Sequence, residues 1–513
     1  MAHDVPTDLG SQDLSGAGGV LRNRAFVLLW SAQVLSQLAS NMVLAALMSI
    51  VYGATGSNTA NALLILTFLV PAVIFSAIAG VIVERADARI IMLGSNVLRA
   101  VGTIAFIFVG ADKASANVPL ILGINLVLAS VPAFFAPAEL TALPRLVEKR
   151  HLMAANSIFV LTINATFAIG FGFLGPLLLT ATGNATAVYL VVAVMFGLAA
   201  AAIVPLAAVP REGVRPPAGG AAGRALREFG EQLAEGVAFV RRTPRIAWSL
   251  TYLGVAASLI GVMGAIGPGF TKEILRLSEE DFFFIMGPAG LGAVMGILFL
   301  NAYGKGLPRR LVIDIGLVAM GVTLIALAIV KPLTILLHPA LEPIESNLPA
   351  LLAPVISLIA VVVVIAITAG VEYAFVAIPS QTALQEELPA DVRGRIFGIL
   401  NTLLSVASFL PVIAAPAVAD VINIAFPGTG IPVVMGLLGI GTLVAGILSW
   451  RRNRAEGLHQ HDLGLDPPAV QGASDPAPGV PGDPAPGAAP STATPSGGHR
   501  RRHRPPPATT DGD

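Results

Sequence analysis

The sequence predicts an all-α membrane protein with twelve transmembrane helices in two six-helix pseudo-repeats. Three observations lead there. Charge is scarce: 12% of the 513 residues are Asp, Glu, Lys or Arg and 55% are apolar, about half the usual charge of a soluble domain. The mean hydropathy is +0.79. Apolar residues gather in stretches long enough to cross a bilayer, which takes about 20 residues each. Basic residues alternate from one inter-stretch loop to the next, as the positive-inside rule requires.

The apolar stretches lie near 25–51, 61–83, 90–110, 118–141, 154–180 and 185–208, then near 246–270, 282–303, 311–337, 350–378, 392–420 and 429–450. The first is too long for a signal-peptide core and is read as a retained span. With a cytoplasmic N-terminus, inside segments and tails hold 26 of the 31 Lys and Arg. Outside loops hold Lys113, Lys272, Arg276 and Lys331, and Arg99 falls within a span. Both termini are therefore expected inside, in a multi-pass protein of a bacterial plasma membrane.

The organisation expected is a disordered leader over 1–21, a six-helix bundle over 22–208, a cytoplasmic linker over 209–245, a second bundle over 246–450 and a disordered tail over 451–513. In the linker, Leu226, Phe229, Leu233, Val237 and Val240 recur every three or four residues. That spacing makes one apolar stripe on a helix. The tail is rich in Pro, Gly and Ala and lacks material for a core. Its basic cluster, His499 to Arg504, is a solvated run or a lipid-headgroup contact.

An internal repeat divides the chain. Ala133-Phe-Phe-Ala-Pro-Ala-Glu-Leu-Thr-Ala-Leu143 matches Ala374-Phe-Val-Ala-Ile-Pro-Ser-Gln-Thr-Ala-Leu384 at six of eleven positions without a gap. The two segments end the fourth and tenth spans. Parallel six-helix repeats joined by a cytoplasmic linker are one of the recurring transporter plans.

Several function classes are excluded. No cysteine is present, so disulfides, thiolate metal sites and cysteine nucleophiles are out. The net charge of zero gives no reason to expect nucleic acid. No phosphate-binding Gly-x-x-x-x-Gly-Lys-Ser/Thr loop occurs, and no Ser/His/Asp arrangement presents itself. Gly170-Phe-Gly172 sits inside a span, and His459 and His461 belong to the tail. Neither a cofactor, a metal site nor a catalytic residue is expected.

The loop after the second span reads Gly80-Val-Ile-Val-Glu84-Arg85-Ala-Asp87-Ala-Arg89. It resembles the Gly-x-x-x-Asp-Arg-x-Gly-Arg/Lys-Arg/Lys loop motif of the major facilitator superfamily. Glu84 stands for the motif's Asp, Asp87 for its second Gly, and Ala88 for its first distal basic residue. Asn23-Arg-Ala-Phe26, Leu98-Arg99-Ala100 and Ala154-Ala-Asn156 are similar to one branch, the macrolide-efflux and enterobactin-exporter-like drug/proton antiporters. So is the second-half stretch Gln385-Glu-Glu-Leu-Pro389 with Arg393-Gly394-Arg395. The resemblance covers about 22–450 and implies the major facilitator fold. It further implies a monomeric exporter of an amphipathic small molecule, with protons as a partner and the lipid bilayer as its surroundings. Glu84, Arg85 and Arg89 would then be gating contacts. Relatives of this branch often carry an acid in the first span where this chain has Ser40. A lipid flippase of the same fold and a non-transporting scaffold are the alternatives.

Individual residues stand out for their cost. An ionisable side chain at the centre of a span costs about 2.5–3.5 kcal/mol. Glu372 in the tenth span is the main case, either a coupling carboxylate, half of a structural pair or a snorkelling side chain. Arg99 in the third needs a carboxylate, carbonyls or a watered cavity, as an anchor or a ligand contact. Gln33, Ser36, Gln37, Ser40 and Asn41 share one face of the first helix, which suits a cavity lining or interhelical hydrogen bonds. Thr162, Asn164, Asn401 and Ser405 are lesser candidates. Phe134, Phe135 and Phe375 are expected to pack a core or a cavity. Asp314 and Asp420 lie near span ends and are expected at the interface.

Overall fold

The computed structural model describes residues 19–110, 116–148, 151–206, 230–231, 234, 237–304, 307–345, 353–386 and 393–455. The described residues are almost entirely helical because lipid offers no hydrogen bonds to a bare backbone. In chain order the helices are α1 (Arg24–Thr55), α2 (Asn58–Arg85), α3 (Ala88–Gly110) and α4 (Val118–Leu146). α5 runs from Leu152–Thr166 through a π-helical turn, Phe167–Leu174, into Gly175–Thr182, and α6 is Ala185–Ile203. Then follow α7 (Pro244–Glu273), α8 (Phe283–Tyr303), α9 (Arg309–Ala328) and α10 (Val330–Glu345). The last three are α11 (Ala353–Glu386), α12 (Arg393–Ala425) and α13 (Gly430–Ala455). Eleven helical segments are long and apolar enough to span a bilayer over described residues. α2 is helical over 28 residues and supplies the twelfth crossing.

Prolines account for the breaks. The stretch expected as one helix at 311–337 is divided at Ile329. Pro332 lacks the N–H that would bond back to Ala328, and its ring crowds that carbonyl. Pro132 likewise interrupts α4 at Val131, whose N–H bonds to Leu128 instead. Pro176 coincides with the π turn of α5, where the Gly175 N–H reaches back to the Gly170 carbonyl. Neighbouring helices make such breaks tolerable in a membrane.

Helix ends also shift from the expected boundaries. Gly19 and Val20 are helical and Val20 is buried, so ordered packing starts before residue 22. Asn23 caps α1, its Oδ1 accepting from the Ala25 and Phe26 N–H groups. Its Nδ2 donates to the Leu146 carbonyl at the end of α4. α13 continues to Ala455, past the expected end at 450. In the linker, Leu226, Phe229 and Leu233 lie outside the described residues, as does the tail from 456. Phe239 and Val240 pack against Ile246, Leu384 and Leu400 of the second half.

Within the first six helices, α6 packs on α3 and α1, and α4 on α2 and α3. In the second set, α8 packs on α11, α9 on α13 and α11, and α7 on α11. The halves touch along two seams, α2 with α12 and α5 with α8, and α7 also reaches α2. The α5–α8 seam is built of small residues: Gly172 lies on the Met286 carbonyl, Gly287 on the Gly172 carbonyl and Gly290 on Ala168. Large apolar side chains such as Phe108, Leu410 and Ile424 point outward, the last 85% exposed. Such a surface suits lipid.

α8 and α11 approach until backbones touch. A Cβ added at Gly370 would collide with the Ala289 carbonyl and the Ala293 N–H, and one at Gly292 with the Ile367 carbonyl. Gly441 on α13 faces open space. Gly370→Val is therefore expected to destabilise the protein by about 1–3 kcal/mol, while Gly441→Val is neutral. Thermal unfolding in detergent checks this, and equal midpoints would refute the close packing.

Candidate functional site

Each half holds a buried polar centre. In the first half, α3 places Arg99 among α1, α4 and α6. Its Nη1 donates to Ser36 Oγ at 2.8 Å and to Ser40 Oγ at 3.4 Å. Ser40 Oγ itself donates to the Ser36 carbonyl. The guanidinium carbon lies 5.6 Å from the Phe135 ring centroid and 5.4 Å from that of Phe196, a cation–π cradle. α4 adds a buried carboxylate to the same half, Glu139, close enough for its charge to act on the Arg99 guanidinium. Glu139 Oε1 and Arg99 Nε have no hydrogen-bond partner.

Hydropathy does not single out Glu139. It sits inside the repeat segment, aligned with Ser380, but two residues before the expected span end at 141. α4 continues to Leu146, which carries Glu139 nearly two turns deep. Ser380, its repeat counterpart, is also buried with an unpartnered hydroxyl.

The polar face of α1 is shared among neighbours rather than presented as one lining. Ser36 and Ser40 turn to Arg99. Gln33 is buried with Oε1 unpartnered. Asn41 packs against Gly170 of α5. Gln37 is half-buried. Asn96, one turn from Arg99, is fully buried with both amide atoms unpartnered. Thr162 accepts from Trp30 Nε1 at 2.8 Å, tying α5 to α1. Phe135 belongs to the packed core and Phe375 stacks on Phe299.

In the second half, Glu372 on α11 is buried, with Oε1 accepting from Thr323 Oγ1 of α9 at 2.8 Å. Its Oε2 has no partner. The structure thus brings Glu372 to α9 within its own half.

Asp314 corrects an expectation. It is fully buried, not interfacial. Ser449 Oγ donates to its Oδ1 at 2.5 Å, and Asn453 Nδ2 to its Oδ2 at 2.9 Å. Tyr252 hydrogen-bonds Ser449 at 2.7 Å. This network joins α7, α9 and α13. Beside it the Arg452 guanidinium lies 3.7 Å from the Trp248 ring centroid.

Of the gating-loop residues, Arg89 is the one with a described side chain. Its guanidinium donates to the Val204 carbonyl at the end of α6, and its N–H to Asp87 Oδ1. Arg89 therefore caps a helix of its own half. The side chains of Gly80, Glu84, Arg85, Gln385, Arg393, Gly394 and Arg395 lie outside the described residues, as do those of Asn164 and Asn401.

Arg99 and Glu139 are expected to be energetically coupled. A double-mutant cycle of Arg99→Met and Glu139→Gln, read by thermal unfolding, should give an interaction of about 0.5–3 kcal/mol. Additive losses would show that the two do not act as a pair.

The comparisons with known proteins agree with this architecture. Residues 29–411 match the family model of the Major Facilitator Superfamily. The chain is 23% identical over 382 residues to the multidrug efflux pump Tap of Mycolicibacterium fortuitum, covering 72% of this chain and 83% of that one. It is 22% identical over 429 residues to the uncharacterized MFS-type transporter YfiS of Bacillus subtilis (strain 168), covering 82% and 93%. Among solved structures it resembles the nucleoside transporter NupG, with a TM-score of 0.60 at 11% identity over 83% of this chain and 99% of that one. The chain therefore belongs to the Major Facilitator Superfamily and is a multi-pass membrane transporter rather than an enzyme.

Proposed function

We propose that the protein is a proton-linked exporter of an amphipathic small molecule, such as a drug, secondary metabolite or siderophore, working by alternating access. The observation that carries this reading is the pair of buried carboxylates with incomplete hydrogen bonding, Glu139 in one half and Glu372 in the other. A buried polar group left unpaired costs about 1–3 kcal/mol. Such groups are retained in membrane helices where they carry protons, ions or substrate. Glu139 beside Arg99 stands where the first helix offers only Ser36 and Ser40.

The two halves join along α2–α12 and along a small-residue seam between α5 and α8. Helices meeting there can rock without tearing a hydrophobic core. The alternation of Lys and Arg orients the face carrying Asn23, Asp87 and Pro308 toward the cytoplasm, as in a bacterial plasma membrane. The opposite face, with residues 52–59 and 420–430, is then external. On that face hydrogen bonds join the halves, from Ser57, Asn58 and Thr59 to Asp420 and from Tyr52 to Glu273. The likeness to a multidrug efflux pump supports export. The mostly apolar, aromatic-poor helices favour an amphipathic cargo over a highly charged one, and the transporter is read as a monomer. Glu84 and Arg85, with Arg89, are assigned to gating at the cytoplasmic end.

Inverted vesicles test the coupling. Glu372→Gln and Glu139→Gln should each lower pH-gradient-driven uptake to the level seen without a gradient, while exchange at equal pH persists. If neither substitution alters uptake or its pH dependence, the carboxylates do not carry the coupling. For the gating loop, Arg85→Ala should slow turnover at unchanged expression, and wild-type transport in that variant removes the gating role.

A further inference from the structure

Between the halves, on the face opposite Asn23, one carboxylate does the work of a helix cap for the other half. α2 begins at Asn58, directly after Gly56, whose φ of 65° turns the chain out of α1. The first N–H groups of a helix have no partner within it, and they form the positive end of its dipole. Ser57 answers one of them, its Oγ accepting from the Ala60 N–H at 3.2 Å. The remainder are met from α12. Asp420 Oδ1 accepts from the Asn58 N–H at 3.1 Å and from Asn58 Nδ2 at 2.9 Å. Asp420 Oδ2 accepts from the Thr59 N–H at 2.8 Å, Thr59 Oγ1 at 2.7 Å and Ser57 Oγ at 2.7 Å. All five donors belong to the first half and the acceptor to the second.

A second carboxylate lies beside it. Glu273, at the end of α7, accepts from Tyr52 of α1 at 2.8 Å and from Asn423 of α12 at 2.9 Å. Asn423 in turn accepts from the Gly430 N–H. Gly269 of α7 is pressed against Tyr52 and Asn58 with no room for a Cβ. Asn61 donates to the Ala265 carbonyl a turn deeper. Ala265 is fully buried at this junction.

We infer that Asp420 is a conformational latch: the halves cannot part on this face until its hydrogen bonds to Ser57, Asn58 and Thr59 break. The inference rests on the alternating-access reading above. Charge-assisted bonds of this kind are the strong ones, and all five converge on one side chain, so a single residue biases the two-state equilibrium. Parting would free four backbone and side-chain donors of Asn58 and Thr59 and the Ser57 hydroxyl, together with the carboxylate, all of which external water can then satisfy. The latch is therefore closed in the dry state and released at a face where water enters.

The absence of cysteine allows a direct test on the full chain. Ala265→Cys places a thiol in the seam, and a hydrophilic maleimide reports its exposure in purified protein in detergent. Asp420→Ala should speed labelling roughly tenfold or more, the factor that about 1.4 kcal/mol supplies. Ser57→Ala with Thr59→Val removes donors from the other side and should speed labelling without touching α12. Ala199→Cys, buried elsewhere in the first half, should stay unlabelled in every background. If it becomes labelled in Asp420→Ala, that variant has unfolded and the donor-side variant decides. Unchanged labelling of Ala265→Cys in the folded variants overturns the latch. Faster labelling in a protein that moves no tested cargo keeps the latch and removes the exporter reading instead.

Discussion

Inside a bilayer no water is available to complete a hydrogen bond, and that constraint governs this protein at every level. It forces the backbone into helices, so that each N–H and C=O is answered within its own segment. It also sets the terms for side chains. Asp314 is accepted in the second half because Ser449 and Asn453 surround it. Arg99 is accepted because two serines and two phenylalanine rings enclose it. Where a helix must bend at Pro132, Pro176 or Pro332, the displaced bonds are re-made locally or covered by neighbours.

Against that rule the exceptions carry meaning. Glu139, Glu372, Gln33 and Asn96 each keep at least one buried polar atom without a partner. They lie in the interiors of the two halves, whereas Asp314, Asp420 and Glu273 each accept hydrogen bonds at both carboxylate oxygens and tie helices together. Small residues have the complementary role. Gly172, Gly287 and Gly290 bring the halves into close contact along α5 and α8, while Gly292 and Gly370 lock α8 onto α11 within one half.

Most of the architecture was legible in the sequence because hydrophobic length and loop charge are local properties. The spans near 25–51 and 185–208 needed only a count of apolar residues. Glu372 stood out because it interrupts a long apolar run. Glu139 did not, since its distance from the end of the span depends on how far α4 runs past Pro137 and Pro144. A break within 311–337 was readable only from Pro332, and hydropathy alone merged its two sides. Asp314 and Asp420 looked alike, each near a span end, yet one is fully buried and the other bridges the halves.

The sequence by itself determined the solvent of this protein, the apolar stretches that become its long helices and, through the repeat and the loop motif, its family. These follow from composition and short-range spacing, which the chain carries wherever it folds. Only the tertiary structure decided which polar groups meet. Arg99 and Glu139 are 40 residues apart, and Asp420 reaches Asn58 across a separation of 362. A side chain's partner is set by the rotation of each helix about its axis and by the crossing of neighbours, and packing between helices fixes both.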